Sequence, residues 1–579
     1  MSFDTEVLII GAGMSGLGLA VQLIRQFGIY NFELVEKSND VGGTWLANTY
    51  PGCGCDVASH FYSYSFALNP DWSRKYSMQP EIQRYFRSVA EQYRIVEHVR
   101  FQSMVEKAVW SEEERVWVVT VKDLGSKRRV VRRAKILVSA VGALSVPKKC
   151  ETPGAERFDG PLFHSAEWDR DFKWEGKEVV VLGNGCSATQ FLPIMAQEPR
   201  AVKKITQFSR QAQYLSEREN PYYSPAFKAV MRYVPLAMRL YRANFYWQME
   251  RDFPGFDIEG GRSIREDLRK ENEAYVKRVA PRKYWDALIP KTEIGCKRKV
   301  LDTEYLSSLH KENVDLIPDD PVQEITETGV RTKSGKEIHA DAIVLAIGFS
   351  TQQMLFPMEI TGRDGLSLNN YWDTAHQSIA QAYFGTCVPD FPNFFIMMGP
   401  NTVTGHLSVI YTVECQINFT LRLIAPIIRT LPSYRSRLLP SNLLPNALRS
   451  NPSTVEVLRD AAIQDSEWTQ KEARKLVWSS GCVNWAVDPK TGLNNMMYPD
   501  WQYWYWLRSI FYKKSDFIYR DAKTGKEVSV GGSWLKTTAL LLGVGAVAVV
   551  GADWVRPDLG LVRGLREFDG RAFVRSLKG

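Results

Sequence analysis

The 579-residue sequence lacks the features by which several large classes of protein are recognised. Its eight cysteines include no CxxC pair and no disulfide-rich spacing, so we expect reduced, buried thiols in a cytoplasmic protein. The net charge is +8, and the sequence contains no basic block of the kind that binds nucleic acid. No spacing of His, Cys, Asp and Glu is typical of a metal site. A strand predicted from residue 6 leaves no room for a signal peptide, and the length predicts two to four domains.

Long apolar runs are also scarce, apart from one stretch near the C-terminus. Residues 537–552 carry no charge, and Trp534 and Trp554 flank them. A helix of this length would be about 24 Å long, which is shorter than the roughly 30 Å hydrocarbon core of a bilayer. The basic residues that follow favour the cytosolic side. We expect a C-terminal hydrophobic helix, and three alternatives stay open: it crosses a membrane, dips into one, or packs within the fold.

A complete dinucleotide-binding motif opens the chain. The apolar strand at residues 6–10 runs into Gly11, Gly13 and Gly16, and a helical pattern follows. The first glycine permits a tight turn, the second lets a pyrophosphate approach the backbone, and the third lets the helix pack against the strand. A second strand ends on Glu36, whose carboxylate can accept hydrogen bonds from a ribose with free hydroxyls. This motif predicts FAD or NAD, not NADP.

A second unit of the same kind begins at residue 178. The strand EVVVL leads into the turn GNGCSA at residues 183–188, and a helix follows. The next strand ends on Ser209 and Arg210 instead of an acidic residue. A guanidinium can bind a 2′-phosphate in a bidentate manner where a carboxylate would repel it; a solvated surface arginine is the alternative. We therefore assign FAD to the first unit and NADPH to the second, so that NADPH reduces the bound flavin.

Two such units predict an α/β fold with two Rossmann-like dinucleotide-binding domains, the second inserted in the first. We expect the apolar strand at residues 342–346 and the turn at 347–349 to complete the first unit. A helix-like, tyrosine-rich insertion at residues 211–290 is either a substrate lid or plain helical packing. The predicted domains are the first part of the FAD domain (1–150), the NADPH domain (151–335), the completion of the FAD domain with the substrate region (336–530), and a hydrophobic, basic tail (531–579).

Aromatic residues are unusually frequent in this chain. The sequence contains 17 tryptophans, and residues 501–506 read WQYWYW. Together with the aromatic insertion, this concentration indicates large apolar surfaces that are either buried in packing or used to recognise a bulky ligand. Between these regions, a Gly-Pro turn at residues 399–400 is predicted to pass into an apolar helix through residue 425.

Two further motifs carry a family resemblance. Residues 42–56, directly after the first unit, read GGTWLANTYPGCGCD, and residues 158–169, between the units, read FDGPLFHSAEWD. Over residues 5–420 the chain resembles type I Baeyer–Villiger monooxygenases, which are class B flavoprotein monooxygenases. The Trp168-Asp169 ending is specific, because the wider flavin-monooxygenase family usually has Tyr or Phe there. The C-terminal part is more weakly similar to fungal secondary-metabolite enzymes of this kind.

The resemblance implies an NADPH- and O₂-dependent monooxygenase. In this family a C4a-peroxyflavin inserts one oxygen next to a ketone carbonyl, and the product is an ester or a lactone. By the motif at residues 295–298, Arg298 would supply the fixed positive charge that the anionic intermediate requires. Asp56 would pair with Arg298 and set its position. A surface salt bridge is the alternative for Arg298, and helix capping is the alternative for Asp56.

The resemblance also implies cofactor contacts by position. Lys297 matches a residue that contacts the 2′-phosphate, and His164 matches a structural residue that couples the domains. The expected FAD contacts are Gly11, Gly13, Gly16, Glu36, Gly43, Thr44, Trp45, Leu46, Ala47, Asp56, Val57, Tyr62 and Val105. The expected NADPH contacts are Gly54, Cys55, Asp56, Gly183, Asn184, Gly185, Cys186, Ser187, Ala188, Thr189, Arg210, Lys297 and Arg298.

The chain departs from the family pattern at three positions. Gly54 stands where many relatives carry an arginine, Ile347 replaces a threonine, and Ala188 replaces the third glycine of the NADPH turn. The first departure puts the substrate class in doubt, whereas the other two conserve size and should preserve binding.

Three other functions compete with ketone oxygenation. They are N- or S-oxygenation by the same kind of flavoenzyme, a flavin disulfide reductase that uses Cys53 and Cys55, and a protein that binds nucleotides without catalysis. A disulfide across a single intervening residue would be strained, which disfavours the reductase. We expect a bulky, apolar ketone, for example a polycyclic one, as substrate.

Overall fold

A computed structural model describes residues 3–352, 354–434 and 451–530 of the chain. The strands in these ranges are β1 (Thr5–Ile10), β2 (Phe32–Val35), β3 (Val99–Arg100), β4 (Ser103–Ser111), β5 (Val116–Asp123), β6 (Arg129–Ser139), β7 (Leu162–His164), β8 (Glu178–Leu182), β9 (Lys204–Phe208), β10 (Leu215–Ser216), β11 (Val300–Leu301), β12 (Val314–Ile317), β13 (Val322–Thr326), β14 (Gly329–Thr332), β15 (Glu337–His339), β16 (Ala342–Leu345), β17 (Glu359–Thr361), β18 (Phe394–Ile396), β19 (Pro452–Val457) and β20 (Phe517–Asp521). The α-helices are α1 (Met14–Phe27), α2 (Thr44–Ala47), α3 (Gln79–Gln92), α4 (Cys186–Met195), α5 (Pro225–Tyr233), α6 (Ala237–Glu250), α7 (Arg262–Val279), α8 (Trp285–Leu288), α9 (Tyr305–Ser308), α10 (Leu368–Ala375), α11 (Val409–Ile428), α12 (Arg459–Ala473) and α13 (Gln502–Ile510).

The first sheet is built around β1, which is buried along its whole length. Its strands lie in the order β17-β4-β5-β6-β1-β2-β3, and β18 pairs with the end of β6. β1 runs parallel to β2 and β6, so the carboxyl ends of these strands meet at one edge. The glycine turn of the first unit leaves β1 at that edge, where α/β sheets bind their ligands.

The second sheet has the order β12-β9-β8-β16-β7, and all of its neighbouring strands are parallel. Residues 179–182 of β8 are all buried, as expected for a parallel strand that is covered on both faces. All five strands lie in the chain between β6 and β18 of the first sheet. The prediction of an α/β fold with the second unit inserted in the first is therefore confirmed.

The predicted place of one strand is wrong. Residues 342–346 were expected to complete the first unit, but β16 pairs in register with β8, from Ala342 opposite Val179 to Leu345 opposite Leu182. The first sheet is completed instead by β18. A short strand that is apolar on both faces fits either sheet equally well, so its sequence could not distinguish them. The second sheet consequently runs beyond the predicted boundary at residue 335.

Other predicted elements agree with the structure. The insertion at residues 211–290 is mainly helical and contains α5, α6, α7 and α8. The apolar helix after the Gly-Pro turn is α11, and most of the WQYWYW stretch lies on α13. The predicted C-terminal helix at residues 537–552 lies outside the described residues. Within those residues, no helix is long and apolar enough to cross a membrane, and no cluster of His, Cys, Asp and Glu could hold a metal ion.

The expectation that all cysteines are reduced is wrong for two of them. Cys296 and Cys482 form a disulfide, with a Cα–Cα distance of 6.5 Å. The two residues are 186 positions apart, so no local spacing indicates the pair. The other six cysteines are free, and Cys53, Cys55, Cys387 and Cys415 among them are buried.

Candidate active site

The glycine turn between β1 and α1 has the shape that a pyrophosphate requires. A Cβ at Gly16 would lie 2.0 Å from the Gly11 carbonyl oxygen, so the helix approaches the strand as closely as glycine allows. No side chain caps the N-terminus of α1, which leaves its backbone N–H groups available to an anion. The residues that were predicted to hold FAD at this turn therefore fit such a group.

Glu36 lies at the carboxyl end of β2, beside the same turn. Its carboxylate accepts hydrogen bonds from the backbone N–H groups of Ala12 and Ser38, each at 2.8 Å. These bonds fix the carboxylate next to the glycines. The orientation is appropriate for accepting further hydrogen bonds from ribose hydroxyls, because each carboxylate oxygen has a second lone pair.

The loop at residues 42–56 folds back over this turn. A Cβ at Gly43 would lie 2.9 Å from the Cα of Gly13, so the two glycine segments face each other directly. Thr44 begins the short helix α2, and Leu46 and Ala47 complete it. The Trp45 indole is buried and donates a hydrogen bond to the Tyr62 hydroxyl at 3.1 Å. The predicted flavin-lining residues thus form one wall beside the pyrophosphate turn.

Val105 has a different setting from the other predicted FAD residues. It lies on β4, and its side chain is buried in the hydrophobic core together with Val35 and Leu8. An FAD contact at this position would therefore come from its backbone. Val57 is also buried, and its N–H lies 3.4 Å from the Cys55 sulfur.

The turn of the second unit, between β8 and α4, is more open than the first. A Cβ at Gly185 would meet nothing within 4 Å, and no side chain caps the N-terminus of α4. Asn184 is held by a hydrogen bond from its side-chain amide to the Gln211 carbonyl, at 2.9 Å. Ala188 and Thr189 are completely buried, so their side chains support the helix packing. Open space next to free N–H groups is suitable for a second pyrophosphate.

The end of the 42–56 loop packs against this second unit. A Cβ at Gly52 would lie 2.5 Å from the backbone oxygen of Gln190 on α4. The Gln190 side chain accepts hydrogen bonds from the Tyr50 hydroxyl at 3.0 Å and from the Gly54 N–H at 3.2 Å, and it donates one to the Gly54 oxygen at 3.1 Å. The loop therefore reaches from the first nucleotide turn to the second.

Asp56 and Arg298 form a bidentate ion pair between these two units. Arg298 Nε lies 3.0 Å from Asp56 Oδ2, and Arg298 Nη2 lies 3.1 Å from Asp56 Oδ1. Their side chains are about a quarter exposed, at 25% and 27%. The Asp56 carboxylate raises the pKa of the Arg298 guanidinium, so the arginine is charged at every accessible pH. The predicted pairing of these residues is present in the structure.

Lys297 and Arg210 place two cations at the second unit. Burial, together with the smaller effect of the nearby Arg210 charge, lowers the pKa of the Lys297 amine to about 8. Arg210 is exposed and follows the end of β9. Two cations that repel each other form a natural site for a phosphate dianion, which would relieve the repulsion.

The geometry bears on the role assigned to His164 and on the alternative of a redox pair at Cys53 and Cys55. His164 is buried, with Nε2 3.0 Å from the Gly348 oxygen and Nδ1 accepting from the Ala166 N–H at 3.0 Å, which is a structural setting. Cys53 and Cys55 are free thiols. Burial raises the pKa of Cys53 to about 12 and also raises the pKa of Cys55, so neither is a thiolate near neutral pH. This setting disfavours a redox-active pair.

Three residues at this site were not identified from the sequence. Gln190 holds the loop as described above. Arg218 Nη2 donates to the Cys55 oxygen at 3.1 Å, directly after Gly54. Arg242 Nη1 donates to the His60 oxygen at 2.5 Å and to the Ser63 oxygen at 3.0 Å. All three bind backbone groups distant in sequence, so no motif or spacing points to them.

Comparisons with known proteins agree with this geometry. A family model described as flavin-binding monooxygenase-like matches residues 4–218. A Baeyer-Villiger monooxygenase of Streptomyces coelicolor is 34% identical over 85% of this chain and 88% of its own length. The FAD-binding monooxygenase ktnD of Aspergillus niger is 35% identical over 71% of this chain and 67% of its own. A solved structure of an oxidised steroid monooxygenase bound to NADP is 25% identical with a TM-score of 0.72, covering 89% of this chain and 99% of that one.

Proposed function

We propose a substrate class and residue roles for this chain. The chain belongs to the Baeyer–Villiger monooxygenase family and is an FAD-dependent NADPH monooxygenase. The proposed reaction inserts one oxygen of O₂ next to the carbonyl of a bulky, apolar ketone and gives an ester or a lactone. The observation that carries this proposal is the bidentate pair of Asp56 with Arg298, which lies where the two nucleotide units meet.

The residues at the two turns divide the cofactors between them. We assign the FAD pyrophosphate to the turn at Gly11, Gly13 and Gly16, and its ribose to Glu36. We assign the NADPH pyrophosphate to the turn at residues 183–188, and its 2′-phosphate to Arg210 and Lys297. When bound, NADPH supplies a hydride, and FAD accepts it and activates O₂.

In this assignment Arg298 stabilises the negative charge that develops on oxygen during the reaction. A fixed guanidinium in a partly desolvated site is effective because it needs no reorganisation when the charge appears. Asp56 is a positioning residue, because both of its carboxylate oxygens accept from the guanidinium and so determine its plane. Gln190 and Arg218 in turn hold the backbone directly before Asp56, at Gly54 and Cys55 respectively.

An aromatic cluster beside the Arg298 loop supports an apolar substrate. A Cβ at Gly295, three residues before Arg298, would lie 3.3 Å from the Phe256 ring. Phe256 packs against Trp478 and His406, with ring centroids 5.1 and 5.7 Å apart. Phe253 extends the cluster to Trp501, at 5.1 Å. We assign this cluster to the substrate side of Arg298, where it would favour a large hydrocarbon skeleton over a small polar ketone.

Product analysis tests this proposal directly. Purified full-length protein with FAD, NADPH and O₂ is given a polycyclic ketone, a short linear ketone, a tertiary amine and a sulfide. We expect the polycyclic ketone to yield an ester or lactone whose mass is higher by one oxygen. Exclusive formation of N-oxides or sulfoxides would contradict the ketone assignment and support N- or S-oxygenation, the second candidate, while leaving the monooxygenase class intact.

Membrane contact through residues 537–552 stays a prediction. It is tested by fractionation of the full chain against a chain that ends at residue 533. If both forms remain in the supernatant with lipid, the segment does not anchor the protein.

A further inference from the structure

Exposed apolar side chains concentrate on one part of the insertion. Residues 222–247, here called the insertion hairpin, contain α5, α6 as far as Trp247, and the turn that joins the two helices. Within the described ranges, 18 large hydrophobic side chains are exposed, and seven of them belong to this hairpin. The most exposed are Tyr233 at 74%, Tyr222 at 70%, Leu240 at 68% and Leu236 at 65%. Such a concentration of exposed apolar side chains in one segment points to an interaction site rather than ordinary surface variation.

The two faces of the hairpin differ sharply. Leu236, Leu240 and Trp247 recur at helical spacing along α6 and lie on its exposed face. Met231 and Phe245 are buried on the inner face. The hairpin is thus packed against the protein on one side and exposes apolar side chains on the other. The exposed apolar side chains are most frequent at its turn.

The charge of this segment is of one sign. From Asn220 to Met249 the sequence contains four basic residues, Lys228, Arg232, Arg239 and Arg242, and no aspartate or glutamate. Arg239 is exposed beside Leu240. Arg242 points inward, to the carbonyl groups of His60 and Ser63. Arg232 pairs with Asp71, which lies outside this segment, so the exposed arginine beside the leucines is Arg239. An exposed arginine next to leucine, tyrosine and tryptophan matches the boundary of an anionic lipid bilayer, where both charge and apolar character are complemented.

We propose that the insertion hairpin docks the enzyme on the surface of an anionic lipid bilayer. Leu236 and Leu240 enter the boundary between headgroups and acyl chains, and Tyr233 and Trp247 lie at headgroup level. A protein partner would complement the apolar side chains equally well, but the exposed Arg239 beside Leu240 and the absence of acidic residues within residues 220–249 favour an anionic lipid surface. The inner face of α6 contacts the loop after Asp56, so docking holds the active site close to a source of apolar molecules.

Vesicle sedimentation tests the proposal with the full chain. Vesicles of phosphatidylcholine alone are compared with vesicles that contain 30% phosphatidylserine, at low and high salt. We expect the native chain to partition preferentially onto the anionic vesicles, and the double change Leu236→Asp and Leu240→Asp to lower the partition coefficient at least tenfold. Arg239→Gln should lower it about fivefold, in line with about 1 kcal/mol per basic residue at such a surface.

The control change is Tyr30→Asp, which alters a 60% exposed aromatic residue of the first unit and should leave partitioning unchanged. Flavin content reports that each variant is folded. Because residues outside the hairpin can also bind lipid, amide hydrogen exchange is measured on peptides from residues 222–247. Protection of these peptides by anionic vesicles supports the proposal. If the native chain does not bind the vesicles, or if it binds them without protection of these peptides, the proposal is overturned. A surface that binds a protein partner would give the first of these results. Neither result depends on the identity of the substrate.

Discussion

The two nucleotide units share a backbone design and differ in the charge that lies beside it. In the first unit the second strand ends on Glu36, whose carboxylate is held by two backbone N–H groups. In the second unit the corresponding strand leads to Arg210, and Lys297 lies nearby. A carboxylate accepts from ribose hydroxyls, whereas paired cations bind a phosphate. In the proposed assignment, one fold that is used twice in a chain separates two cofactors by a few side chains.

The units also differ in how closely helix and strand approach. The third glycine of the first turn is indispensable, because a Cβ at Gly16 would lie 2.0 Å from a backbone oxygen. The second turn has Ala188 at the equivalent place, where its side chain is fully buried. The need for glycine therefore depends on the local approach of the backbone, not on the motif as such.

The largest expected effect comes from a side chain added where the helix and strand of the first unit approach most closely. Gly16→Val should destabilise the protein by more than about 3 kcal/mol and abolish FAD binding, because the overlap is with backbone that cannot rotate away. Ala188→Gly, which gives the second turn the residue that the first has at the equivalent place, should cost about 1 kcal/mol and retain both cofactors. Thermal unfolding and the flavin absorbance of purified protein measure both effects. Equal losses in the two variants would show that the spacing difference is unimportant.

The next largest effect tests the pair that joins the two units. Arg298→Ala should lower product formation by about 10²- to 10³-fold, because one preorganised charge is lost. Flavin content and NADPH oxidation should persist. Lys299→Ala is the control, since Lys299 is 42% exposed and pairs with Asp252 at 3.5 Å. Normal product formation by the Arg298 variant would remove this residue from the proposed chemistry.

A third prediction concerns the choice of nucleotide. Arg210→Glu gives the second unit the charge of the first, and it should raise the KM for NADPH by about 10- to 100-fold, in line with about 1.5–3 kcal/mol for a hydrogen bond to a charged group. The KM for NADH should change far less. Lys311→Glu, an exposed charge reversal elsewhere in the chain, serves as control. A parallel increase for both nucleotides would argue against a 2′-phosphate contact.

The smallest expected effect is a pH dependence. The pKa of Lys297 in the cofactor-free protein is lowered to about 8. Above that pH the side chain is therefore mostly the neutral amine. A bound phosphate stabilises the charged form, and NADPH affinity should therefore fall by a few-fold between pH 7 and pH 9. Lys297→Arg should flatten this dependence, because arginine stays charged. Fluorescence titration with NADP⁺ measures it, and NADH supplies the comparison without a 2′-phosphate.

Much of the fold and of the candidate site was predictable, because it depends on local patterns. Each glycine turn lies within about thirty residues of the charged residue that follows it. The resemblance motifs predicted the pairing of Asp56 with Arg298, and the structure shows that pair. The helical insertion was also predicted, although its exposed apolar face was not, because a run of apolar residues does not show which side is covered.

What the sequence by itself determined were the elements whose conformation follows from neighbouring residues: the nucleotide turns, the apolar strands and the helix α11. Only the tertiary structure decided that β16 joins the second sheet, that Cys296 pairs with Cys482, and that Gln190 holds the loop at Gly54. The physical reason is the same in each case. These contacts join residues far apart in the chain, and their free energy depends on packing that leaves no period or spacing in the sequence.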